Sequence, residues 1–134
     1  PLARAGRFFA RAVETGAHVE SLGAVARAEA DVAAIDAVVW GLLERHRPHA
    51  LAGVRVLKRT VPAPALPYVA PACIDAGKLG LVREALQAAA GDESLASARA
   101  ALLIAGFDIL DDSDYERIDD IERVGIDAGY TQLR

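Results

Sequence analysis

Two short stretches of this chain carry side chains able to meet a small anion: Thr15-Gly16-Ala17-His18, and Asp36 at the end of "DVAAID". The first sets a turn and a histidine directly before a helical pattern. An imidazole offers one or two N–H donors, and glycine lets the backbone come close to whatever is bound. The start of a helix adds backbone N–H groups without intrahelical acceptors and a partial positive charge, so it favours an anion even in an acidic protein. Asp36 is an acceptor, suited to a ligand ammonium or hydroxyl, or to orienting another side chain. Thr60 closes the β-branched run "GVRVLKRT" and brings a hydroxyl to a third junction. The set suits a small polar anion, zwitterions included. Each member also has a plainer role open to it: His18 as an exposed residue of a first helical turn, Asp36 as an N-cap, and Thr60 as the end of a strand.

The elements that must position these residues read as alternating strands and helices. Phe8, Phe9 and Val13 form an apolar run expected as a strand, after a helix-compatible Pro1–Ala5 and before Gly16. From His18 to Ala30, Val19, Leu22, Val25 and Ala26 recur at helical spacing. "DVAAID" suits a short buried strand, and Val38, Val39, Leu42 and Leu43 mark a helix over Ala37–His46 that Pro48 ends. Val54 to Thr60 reads as a third strand. Strands separated by helices imply an α/β fold with a mostly parallel sheet, in which ligands bind beyond the carboxyl ends of the strands. Thr15, Gly16, Ala17 and His18 fall at the first such end, Asp36 at the second and Thr60 at the third.

"VPAPALPYVAP" holds four of the six prolines, so it is a stiff connector and no helix. Beyond it, helices are expected over Asp75–Ala90, from a Ser94 cap to about Ala105, and over Asp111–Ala128. The expected divisions are residues 1–60 as an α/β ligand-binding portion, 61–71 as a proline-rich hinge, and 72–134 as a helical portion. Trp40 is expected in the core and Tyr68 in connector packing.

Several function classes lack support. The net charge of −4, with acids gathered after Asp108, offers no basic footprint for nucleic acid. Lone Cys73 closes no intrachain disulfide and has no companion at metal-ligand spacing. His46 and His49 straddle Pro48 without carboxylate or cysteine partners, and Asp111, Asp112 and Asp114 lack the alternating ligands of a calcium loop, so helix capping explains them better. No P-loop, dinucleotide fingerprint, Gly-x-Ser-x-Gly or His-Glu-x-x-His is present. No cofactor, metal or catalysis is expected.

At family level, "GRFFARAVETGAHVESLGAVARAEADVAAIDAVVWGLLERHRP", "GVRVLKRTVPAPALPYVAP" and "GFDILDDSDYERI" resemble the phosphate/phosphonate-type substrate-binding proteins of ABC transporters. The resemblance spans nearly the whole chain and rests on the order of its pieces: Thr-Gly-x-His-x-x-Ser, Ala-Asp-Val-Ala-Ala-Ile-Asp, Arg-Thr with prolines, then Gly-Phe and Asp-x-Asp-Tyr. It implies a type-2 periplasmic-binding-protein-like lobe plus C-terminal helices, belonging to a two-lobe protein whose first lobe is not in this chain. It also implies a periplasmic location, an oxyanion held between lobes, and an ABC transporter permease as partner. His18 matches the ligand histidine of such proteins, Asp36 the acidic cleft position and Thr60 the strand end; Ala17 stands where a serine is more usual, removing a hydroxyl donor. Without the first lobe, a strand at Tyr68–Ala70 would lack its neighbour, and self-association is the expected result. The alternatives are an enzyme resembling the pyrimidine-precursor synthases, which needs a cysteine cluster that lone Cys73 does not supply, and the ligand-sensing domain of a regulator, for which no helix-turn-helix is visible.

Overall fold

A computed structural model of the protein describes residues 9–130. Five α-helices are present: α1 (His18–Ala26), α2 (Ala37–His46), α3 (Ala76–Gly91), α4 (Ala96–Leu102) and α5 (Asp112–Asp127). Short 3₁₀ turns at Pro48–Leu51 and Glu93–Leu95 precede the α2–α3 connector and α4.

Among the described residues there is no strand, which overturns the expected mostly parallel α/β sheet. Asp31–Asp36, Val54–Thr60 and Tyr68–Ala70 all lie outside regular structure, as do the described residues of the Phe8–Val13 run. The physical reason is a missing neighbour. A strand is completed by the ladder it shares with another strand, and neither Val32–Ile35 nor Arg55–Ala70 exchanges a backbone hydrogen bond with another described segment. Their β-branched residues fit a pleated surface only where such a surface exists. In its absence the apolar side chains face outward: Leu57 is 63% exposed, Leu66 94% and Val69 86%. The helix expected over Pro1–Ala5 lies outside the described residues.

The helix ends follow local chemistry. Asp36, Asp75 and Asp111 cap α2, α3 and α5, each carboxylate accepting a backbone N–H of the first turn. At α5 the cap is reciprocal, because the Asp114 carboxylate accepts the Asp111 N–H at 2.9 Å. The acidic run near Asp111 is thus helix-start chemistry. At the 3₁₀ turn before α4 the cap is Asp92, which accepts the Ser94 N–H at 2.8 Å, so the expected Ser94 cap is corrected by two residues.

Three helices stop by one geometry. After α1, the N–H groups of Ala28 and Glu29 return to the carbonyls of Val25 and Ala24. The same crossed pair closes α4 through Leu103 and Ile104, and α5 through Gly129 and Tyr130. This Schellman pattern puts one residue in the left-handed region, here Ala28 at φ 57°, Leu103 at φ 59° and Gly129 at φ 91°. The expected His18–Ala30 helix is shortened to His18–Ala26 by that turn.

The backbone divides into two compact units. One comprises Gly16–Leu57 and Pro67–Ile109, and holds α1 to α4. Its core is small: Leu22 on α1 and Leu43 on α2 are the buried apolar residues among those described. Both helices pack against the Pro48–Leu51 turn, and Trp40 on α2 is half-buried. The imidazole Nε2 of His46 lies 2.7 Å from the Ala101 carbonyl oxygen, joining the end of α2 to the last turn of α4. Leu103 reaches the same surface, since a Cβ placed on Gly41 would lie 2.8 Å from Leu103 Cδ1. Arg99 Nη1 donates to the carbonyls of Ala89 and Asp92, fixing the corner between α3 and α4. Gln87 donates to the Phe107 carbonyl at 2.7 Å, and the Phe107 ring meets Tyr68 edge-on with centroids 5.8 Å apart. The other unit contains residues 9–15, 58–66 and 110–130 as described, with α5 in it. There the Tyr130 hydroxyl is buried without a hydrogen-bond partner among the described residues.

Candidate functional site

Gly16, Ala17 and His18 form the entry to α1. Gly16 has φ +80°, a left-handed turn that favours glycine, and no described atom lies within 4 Å of where its Cβ would be. Ala17 follows in extended geometry as the N-cap, with a methyl that cannot close the helix end. His18 is the first helical residue, and its side chain is exposed. The first intrahelical bond runs from the Ser21 N–H to the Ala17 carbonyl at 3.0 Å, so the N–H groups of His18, Val19 and Glu20 have no acceptor inside the helix.

Electrostatically, α1 differs from its neighbours. A carboxylate covers the start of α2, α3, α5 and the turn leading into α4, whereas α1 begins with alanine. The acidic residue in its first turn is Glu20, which faces its partial positive charge. Such an end can receive an anion from outside the chain, with the His18 imidazole as an additional donor.

Asp36 has another commitment. Its Oδ1 accepts the Val39 N–H at 2.9 Å, so one carboxylate oxygen is used to start α2. The side chain is exposed, which leaves the second oxygen accessible. No hydrogen bond or ion pair joins Asp36 to His18, although both belong to the same compact unit. Thr15 is half-buried and Thr60 exposed, and both are grouped with the other unit. What the structure brings together directly is the consecutive Gly16-Ala17-His18 start of α1.

Two polar residues with little sequence signal hold the surroundings. His46 reads as one of two turn histidines, yet it bonds to a carbonyl 55 residues away. Arg99, which belongs to no motif, satisfies two carbonyls. No spacing rule exposes either, because both partners are main-chain oxygens. Among the described residues no group of three or more His, Cys, Asp or Glu side chains is placed to hold a metal ion, and no helix is long and apolar enough to cross a membrane.

The family model described as "ABC transporter, phosphonate, periplasmic substrate-binding protein" matches residues 3–115. No curated protein and no solved structure is similar enough to be matched.

Proposed function

We propose that this chain, which belongs to the phosphonate periplasmic substrate-binding proteins of ABC transporters, captures phosphonate, phosphate or a related small oxyanion in an interlobe cleft and hands it to a permease without chemical change. Thr15, Gly16, Ala17, His18, Asp36 and Thr60 are the residues assigned to the ligand. The observation that supports the reading is the start of α1, where backbone N–H groups, a left-handed glycine and an exposed imidazole coincide and, among the described residues, no side-chain carboxylate caps the end. Asp36 would meet the ammonium of an aminophosphonate through the oxygen that is not capping α2. Closure of lobes around the ligand would supply the motion that signals occupancy.

Calorimetric titration of the full-length, two-lobe protein with methylphosphonate, 2-aminoethylphosphonate, phosphate and phosphite tests this directly. At least one should bind, and His18→Ala should weaken that binding by tenfold or more, the loss of about 1.4 kcal/mol, while leaving helix content unchanged. Unchanged affinity in the variant rejects the role of His18, and no heat with any of the four rejects the ligand class.

The exposed segment around Leu66, Tyr68 and Val69 is proposed to draw a second copy of the chain, since an exposed apolar run without a strand partner is a template for association. Light scattering across a concentration series should show mass rising above that of one chain; a constant monomer mass at every concentration sinks the idea.

A further inference from the structure

We draw no further inference here: the strongest candidate, the exposed cationic turn at the C-terminal end of α2 formed by Arg45, Arg47 and His49, carries nothing because such charges ordinarily complement the dipole of the helix they follow and nothing in the structure shows what covers it.

Discussion

The carboxylate of Asp36 accepts the Val39 N–H at 2.9 Å, so the acidic residue assigned to the ligand is also the residue that starts α2. The two roles separate by substitution. Asp36→Ala removes the cap and should lower stability by about 1 kcal/mol. Asp36→Asn keeps a capping oxygen, so its stability should stay near that of the parent in chemical denaturation followed by the single tryptophan, Trp40. If Asp36 meets a ligand ammonium, the asparagine variant should still lose affinity for 2-aminoethylphosphonate more than for methylphosphonate. Equal affinities for parent and asparagine variant would reduce Asp36 to a helix cap.

The left-handed residue after α1 is an alanine, at φ 57°. That conformation disfavours an L side chain by roughly 1–2 kcal/mol relative to glycine. Ala28→Gly should therefore raise the unfolding free energy by about 1 kcal/mol, once the greater freedom of glycine in the unfolded chain is set against it. The Arg27–Glu29 pair that brackets Ala28, at 2.8 Å, stays available in the variant. Leu103 occupies the same kind of turn at φ 59°, but its side chain packs toward Gly41. Leu103→Gly should consequently destabilise, in contrast to Ala28→Gly, and denaturant midpoints for the two variants moving the same way would contradict this account.

Acid should act on the helix starts. The hydroxyl of Ser113, together with the backbone N–H groups of Ser113 and Asp114, holds the Asp111 carboxyl below its ordinary range, and the hydroxyl and N–H of Ser94 do the same for Asp92. A carboxyl depressed in the folded state contributes its stability above its unfolded value and loses it as pH falls through the folded one. The helical signal at the α5 and α4 starts should thus be flat at neutral pH. It should decline only below about pH 4, the unperturbed aspartate range. Circular dichroism across an acid titration reads this, and Asp111→Asn, which caps without titrating, should flatten part of the acid limb. A transition centred near pH 6 would point to histidine and away from these caps.

The helices were legible in the chain because their signals are local. Asp36, Asp75 and Asp111 each precede an apolar-periodic run, and the observed starts at Ala37, Ala76 and Asp112 follow directly. The end of α1 was not legible, since Ala28 gives none of the glycine signal that marks a left-handed stop at Gly129. The strands failed for a different reason. "DVAAID" and "GVRVLKRT" carry β-propensity, but propensity states only half of a pairing. With no described segment supplying the other half, both lie outside regular structure. For the site, the Thr-Gly-Ala-His turn announced the start of α1, because glycine and helical periodicity are adjacent in sequence. Residues as far apart in sequence as His18 and Asp36 can be joined only through long-range packing, which no local pattern encodes.

The clasp between His46 and the Ala101 carbonyl ties the persistence of α4 to that of α2. A seven-residue helix such as α4 lies well below the length that persists alone in water. Its turns depend on contacts beyond the helix: the α2 imidazole at the Ala101 carbonyl, its own Leu103 seated beside Gly41, and its own Arg99 guanidinium folded back on the preceding corner. At ten residues α2 is itself too short to persist alone, so the two helices are held by each other rather than by their own hydrogen bonds.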